Sequence, residues 1–392
     1  MVYFSSRNWT LFQLLYTIID CIRMKKDRFI YVLALLLSFV ISLNGYSAEQ
    51  GISILSKKAL CLKPNDKFTL EAQLGERAKN IDKVYWVVSD PSVVSIDSQT
   101  DNSVVIKALK QGKCEVKMYA DRRQIASCAV IVDNDGVVRV LAIGNSFSED
   151  ALEEFFYQVV HSEGIEVIVG NLYIPGCSLE RHWQNASENQ SAYSYRKIVE
   201  GTKTTTDKVS LAKAIEDEDW DFISFQQASH FSGIYSTYES FITPLFQYVK
   251  ANNKSDHTQY VLHQTWAYAG DSKHDGFRYY NNSQMKMYEN IVQAIDRTSS
   301  SAGINIVVPT GTAIQNGRTS FVGDNFCRDG YHLDLVVGRY TASCTWAKEL
   351  LGLDVLDSSY APAKLTPNEV LAARLSAHYA VLKPLEVTDL NF

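Results

Sequence analysis

Two patterns in the sequence predict an α/β domain with a parallel sheet, preceded by a small all-β sandwich. From residue 137 onward, short apolar runs alternate with stretches of helical periodicity, the mark of a parallel sheet covered by helices on both faces. Over 50–133, short runs rich in Val, Ile and Thr are separated by turn signals. A chain of 392 residues accommodates both, with roughly 250 residues for the larger core and about 100 for the smaller.

The N-terminus reads as a secretory signal. Met24-Lys25-Lys26 supplies a positive start, 29–43 is apolar apart from Ser38 and Ser42, and small residues suit cleavage near Ala48. The apolar run is short for a bilayer-spanning helix, which needs about 20 residues; an uncleaved anchor is the alternative. No Cys follows the run closely, so lipid attachment at that point is not expected. The expected natural start is Met24, with 1–23 as an upstream extension.

In the all-β part, 84–88 places Trp86 between valines, and 104–108, 114–119 and 126–132 alternate apolar and polar residues. Asp90-Pro91-Ser92 and Lys110-Gln111-Gly112 are turns. The run from Val84 through Trp86, Ser89-Asp90-Pro91 and Val93-Val94 to Ile96, followed by 108–116, resembles a bacterial group 2 immunoglobulin-like domain. That resemblance implies a spacer or adhesion module with Trp86 in its core.

Asp133-Asn134-Asp135-Gly136 is a polar turn and the expected boundary, giving domains over 50–133 and 137–392. Strands are expected at 137–143, 167–172, 221–225, 260–263 and 304–308. Helices are expected at 149–161, 235–249, 284–299 and 335–351. Thr366-Pro367-Asn368-Glu369 is a capping box with proline at the first helical position, so a last helix begins there.

Composition narrows the function. The net charge is −6, and Lys and Arg are scattered rather than gathered in a stripe. Nucleic acid is therefore excluded as an expected partner, and a membrane surface is weakly supported. Export implies an oxidising compartment, where Cys61, Cys114, Cys128, Cys177, Cys327 and Cys344 would remain. Their even number permits disulfides, and buried free thiols fit equally well.

Ligands of parallel sheets bind beyond the carboxyl ends of the strands. The first such strand runs into Gly144-Asn145-Ser146-Phe147-Ser148. A serine between strand and helix suits a nucleophile; by itself it reads more readily as a helix N-cap. Near the other end, Asp329-Gly330-Tyr331-His332 offers a carboxylate and an imidazole at a spacing of three. A serine nucleophile needs a general base, and the base needs a carboxylate to fix its tautomer.

The order of these blocks, Gly-Asn-Ser after the first strand and Asp-x-x-His before a late helix, resembles SGNH/GDSL hydrolases. The resemblance covers about 137–355 and is nearest to a subfamily catalogued as a domain of unknown function in polysaccharide-degrading bacteria. Shared signatures are Gly144-Asn145-Ser146-Phe147-Ser148, Trp220-Asp221 with Gln226-Gln227, and Asp329-Gly330 with His332-Leu333. The resemblance implies a flavodoxin-like three-layer α/β/α domain. It also implies a Ser146–His332–Asp329 triad and an oxyanion hole from the Ser146 and Gly176 N–H groups with a side-chain amide. The family usually supplies that amide from Gly-x-Asn-Asp; this chain has Gln226-Gln227 instead, so Gln226 takes the role, with Gln227 as the alternative. No metal or cofactor is required, and neither a Cys-x-x-Cys pair nor a His-Glu-x-x-His run is present. Asn145, His182, Trp183, His263 and Trp266 are weaker candidates for substrate contacts; the two histidines and two tryptophans could line the pocket mouth, with packing or loop anchoring as the favoured alternative. A disulfide between Cys177 and Cys327 would tie two of these loops.

The expected activity is hydrolysis of an ester, the expected substrate an acetylated carbohydrate. A short-chain lipid esterase would favour a long apolar lid, and none is evident between Gly176 and Ser210. A non-catalytic glycan-binding surface protein is the reading from a different class.

Overall fold

The computed structural model describes residues 53–55, 57–74 and 83–392. The expected signal sequence lies outside the described residues. The chain first builds β1 (Ser53–Leu55), β2 (Ala59–Leu62), β3 (Lys67–Leu74), β4 (Val84–Val88), β5 (Val94–Gln99), β6 (Ser103–Ala108), β7 (Gly112–Ala120) and β8 (Arg123–Val132). These form two four-stranded sheets, in the orders β1-β3-β6-β5 and β2-β8-β7-β4. Alternating residues such as Val104, Ile106, Val116 and Met118 point inward around Trp86, whose Nε1 donates to the Thr100 carbonyl at 3.0 Å. Asp90 makes the expected turn, its carboxylate accepting from the Ser92 N–H at 2.8 Å.

The end of β8 departs from simple alternation. Cys128, Val130 and Val132 face the sandwich core, while Ala129 and Ile131 belong to the core of the larger unit. An apolar run of period one is what a strand buried on both faces requires. The outer face of β8 thus joins the two parts by apolar contact. Lys58 adds an ion pair to Asp357, and the Lys113 ammonium donates to the Glu349 carbonyl at 2.8 Å.

The larger unit contains β9 (Val137–Gly144), β10 (Glu166–Tyr173), β11 (Tyr193–Val199), β12 (Thr202–Val209), β13 (Phe222–Phe225), β14 (Gln259–His263) and β15 (Ile306–Val308). They form one mixed sheet in the order β12-β11-β10-β9-β13-β14-β15. From β10 to β15 the pairing is parallel, and the chain reverses direction across the sheet at β9, as in doubly wound folds. The hairpin β11–β12 pairs antiparallel at the β10 edge, a correction to the expectation of a purely parallel sheet. Its outer strand is mostly exposed Thr and Lys, a polar edge that discourages further pairing. That same polarity conceals it from a search for apolar runs.

Helices α1 (Ser146–Leu152), α2 (Phe156–His161), α3 (Leu179–Ser187), α4 (Leu211–Ile215), α5 (Ile242–Asn252), α6 (Gln284–Ala302), α7 (Thr310–Arg318), α8 (Val337–Leu351) and α9 (Pro367–Leu382) cover the sheet. Those on one side, α1, α2, α7, α8 and α9, pack together, as do α3 to α6. Every residue of β13 is buried, as a strand covered on both faces must be. The capping box at Thr366 forms with both arms, and Pro367 opens α9. Two expected helices are each interrupted. The run 149–161 breaks at Glu153, whose carboxylate accepts from Asn171 at 2.6 Å and pairs with Arg196. The run 235–249 restarts at Ile242, because Pro244 has no N–H to carry an earlier helix through. Among the described residues, no helix is long and apolar enough to cross a membrane.

Candidate active site

Strands β9, β10, β13 and β14 deliver their carboxyl ends to one edge of the sheet, and the candidate residues gather there. Helix α1 starts immediately after β9. Asn145 is its N-cap, accepting from the Phe147 N–H at 2.9 Å, with Ser148 closing the capping box. Ser146 is therefore the first helical residue rather than the cap. Its backbone N–H is one of those left without an intrahelical acceptor, at the positive end of the helix.

His332 arrives from the loop between α7 and α8. Its Nε2 lies 2.9 Å from Ser146 Oγ and its Nδ1 2.7 Å from the Asp329 carboxylate. Asp329 also accepts from the backbone N–H groups of Tyr331 and His332. Burial pushes the Asp329 carboxyl up, but these bonds outweigh it and hold the group below its ordinary value. With Asp329 anionic, Nδ1–H donates to it and Nε2 is left to accept from the serine hydroxyl.

The loop carrying Asp329 and His332 is tied to α1 by Asp150, one turn beyond Ser146 and buried. Its carboxylate accepts from Arg328 at 3.1 Å, from Arg339 Nε at 2.9 Å and from the Leu333 N–H at 2.8 Å. Helix α1 and the loop of His332 are thereby clamped by one carboxylate. Sequence reasoning passed over Asp150, although it stands four residues after Ser146, two beyond the end of the motif.

Gly176 lies in the loop after β10 with φ of +61°, and a Cβ there would meet nothing within 4 Å. Backbone conformation, not space, demands the glycine. The buried Gln226 amide donates from Nε2 to Asn145 Oδ1 at 2.7 Å and accepts at Oε1 from His263 Nδ1 at 2.8 Å. Burial pushes His263 down to about 3. The imidazole is therefore neutral, donating from Nδ1 to Gln226 and accepting at Nε2 from Thr310 Oγ1, 3.1 Å away. This orients the Gln226 NH₂ toward Asn145, the residue before Ser146. Gln227 is differently employed. Its NH₂ donates to the Thr237 carbonyl and hydroxyl, and its oxygen accepts from the Leu179 and Ala228 N–H groups.

The weaker candidates require correction. Asn145 is buried and stitches three loops together, donating from Nδ2 to the Cys177 carbonyl at 3.0 Å. His182 is buried and stacked on Tyr193, with its Nδ1 2.9 Å from the tyrosine hydroxyl. Trp266 is fully buried. It stacks on Phe147 at 4.2 Å and donates from Nε1 to the Tyr331 carbonyl at 2.7 Å, bracing the loop of His332. Trp183 packs against the core. None of His182, His263 and Trp266 lines a pocket mouth, because each ring is buried. Cys177 and Cys327 are free thiols, pushed up by burial to about 12 and about 11. Their sulfurs sit beside His182 and Arg318 respectively, so the expected disulfide does not form.

Away from this edge, Asp133, Asp221 and His257 bring ligand-type atoms within 4.8 Å of one another, the one such group among the described residues. Both carboxylates already accept from Gln111 Nε2, and Asp221 also from the Arg139 N–H.

The family described as a domain of unknown function, DUF4886, matches residues 139–380. A crystal structure of a DUF4886 family protein from Bacteroides uniformis is 48% identical, covers 65% of this chain and 98% of its own, and has a TM-score of 0.64. An acetyl-xylooligosaccharide esterase from Geobacillus stearmophilus is 12% identical over 54% of this chain and 94% of its own, with a TM-score of 0.36, too distant to carry an argument. No curated protein is significantly similar.

Proposed function

The chain belongs to the DUF4886 family, and we propose that this member is an exported serine ester hydrolase that removes acetyl groups from a carbohydrate. The observation that carries the reading is the continuous hydrogen-bonded line from Ser146 Oγ through His332 to Asp329 at the carboxyl edge of the sheet. Ser146 is not needed to start the helix, which Asn145 already caps.

His332 Nε2 takes the Ser146 proton as Oγ attacks the ester carbonyl. Asp329 holds the imidazole in place and stabilises its charged form. The developing oxyanion is received by the N–H groups of Ser146 and Gly176 and by the Gln226 amide, whose second N–H is available once the first is given to Asn145. The imidazolium then returns its proton to the departing alkoxide, leaving an acetyl-serine. Water, deprotonated by His332, attacks that ester and regenerates Ser146 with release of acetate. Gln226 is assigned over Gln227 because the Gln227 amide is committed to Thr237.

Residues 50–133 are read as an Ig-like spacer and 137–392 as the hydrolase unit, with the mature protein in the periplasm, at the cell surface or outside the cell. The test is acetate release from p-nitrophenyl acetate and acetylated glycans by the chain from about residue 49, beside Ser146→Ala. A fall of roughly 10³-fold or more is expected for the variant. Equal turnover by folded Ser146→Ala would remove the serine mechanism.

A further inference from the structure

Beyond His332 a line of rings runs along two neighbouring loops. Tyr331 lies 4.1 Å from the His332 ring and 4.8 Å from His274, measured between ring centroids. His274 stacks on His230 at 5.9 Å, His230 touches Phe231 at 3.9 Å, and Phe231 stacks on Tyr279 at 6.2 Å. His230 and Phe231 come from a 3₁₀ turn after β13, Ser229–Phe231; Tyr279 comes from another after β14, Asp275–Tyr280.

The support is rigid. Tyr280 donates its hydroxyl to the His230 carbonyl at 3.0 Å and accepts from the Gly233 N–H at 2.9 Å. A Cβ on Gly276 would lie 2.2 Å from His230 Cβ, so the two turns meet at a distance only glycine allows. Yet the rings remain open to solvent: Tyr279 is 46% exposed, and Phe231, His230, His274 and Tyr331 are half-buried. Exposed flat rings on an immobile frame, continuous through Tyr331 with the ring of His332, are the form of a ligand surface.

Their chemistry selects the ligand. The strip contains aromatic faces and imidazoles but no aliphatic side chain; Lys273 and Asp275 stand exposed beside it, and the Arg278 guanidinium lies over the Tyr279 ring, 5.6 Å from its centroid. An acyl chain gains little on such a surface. A pyranose ring presents flat C–H faces to the rings and hydroxyls to the imidazoles and rim. Burial and His274 lower His230, and burial lowers His274 against the pull of Asp275. His274 spends Nδ1 accepting from the Gly276 N–H at 3.0 Å and keeps its Nε2–H to donate to a hydroxyl, while a neutral His230 offers one donor and one acceptor.

We infer that this strip is the sugar subsite of the active site, with Phe231 and Tyr279 forming the platform on which the pyranose of an acetylated glycan stacks. The inference rests on the ester-hydrolase reading and names residues that fix its substrate class. Tyr279→Ala and Phe231→Ala, with melting temperatures compared to the parent, are assayed on glucose pentaacetate and p-nitrophenyl acetate. The loss in kcat/KM on the sugar ester should exceed that on the small ester about tenfold, mostly through KM. Equal losses on the two esters overturn the subsite. Should the parent hydrolyse neither ester, the hydrolase reading falls and calorimetric titration of the parent chain with cellohexaose decides the subsite alone. Binding that Tyr279→Ala abolishes upholds it; binding indifferent to Tyr279, or none at millimolar sugar, overturns it.

Discussion

Asp150 lies beyond the carboxyl ends of the central strands, and Asp221 stands at their amino ends, just before β13. Both carboxylates are shielded from water, and their company differs. Asp150 faces two guanidinium groups, Arg328 and Arg339, and a backbone N–H. Asp221 faces the Asp133 carboxylate, with one amide, Gln111, bridging the two and His257 Nε2 3.5 Å away. Burial first and Asp133 second push the Asp221 carboxyl up to about 8. The same side chain therefore does two things in one sheet. At the site it fixes a loop by charge; at the junction with the sandwich it holds a proton.

The sharpest way to break this comparison is Asp150→Asn. The shape is retained, but the buried carboxylate shared by the Arg339 guanidinium and the partly exposed Arg328 guanidinium loses its charge. Breaking a buried ion pair typically costs about 3–5 kcal/mol. Because the loop it anchors carries His332, a displacement of the base by about an ångström should lower kcat roughly 10²-fold while KM changes less. Thermal melting and steady-state kinetics on p-nitrophenyl acetate read the two effects. A variant with parental melting temperature and kcat would show that Trp266 and the backbone alone hold the loop.

What was legible follows from how local each signal is. Gly144-Asn145-Ser146 and Asp329 with His332 are short motifs, and the order of the blocks foretells that they meet. The capping box at Thr366 is likewise contained in four residues. Asp150 was illegible because its partners lie 178 and 189 residues away. For His182, His263 and Trp266 packing or loop anchoring holds and the pocket-mouth alternative fails, because residue type says that a ring suits a sugar, not which way the loop turns it. The rings that do face solvent, Phe231 and Tyr279, sit in 3₁₀ turns with no periodicity to flag them. The hairpin β11–β12 escaped because its strand pattern is written in Thr and Lys, and α7 because Gly311 and Gly317 weaken a helix that burial sustains.

Asp221→Asn tests the other half of the comparison. A carboxyl raised in the folded state binds a proton that the unfolded chain releases above the ordinary carboxylate range. Unfolding then releases that proton, so stability is greatest below about pH 4 as far as this group is concerned. It falls as pH rises to about 8 and is level above. One proton contributes at most about 1.4 kcal/mol per pH unit. Asparagine, neutral throughout, should flatten the fall in melting temperature between pH 5 and pH 8. Parallel curves for the parent and the variant would mean that Gln111 and the Arg139 N–H stabilise the anion well enough for Asp221 to titrate normally.

The smallest effect is expected where charge meets charge in solvent. Lys58 pairs with Asp357 across the junction, but the two side chains are 37% and 60% exposed. Such pairs contribute about 0–1 kcal/mol, and salt weakens them further. Lys58→Ala should therefore shift the melting temperature by no more than a few degrees, and less in high salt. The junction is held instead by Ala59, Ala129 and Ile131, which the sandwich contributes to the larger core. A loss well beyond that range would reverse the assignment, making discrete charges rather than the second apolar face of β8 the link between the two parts.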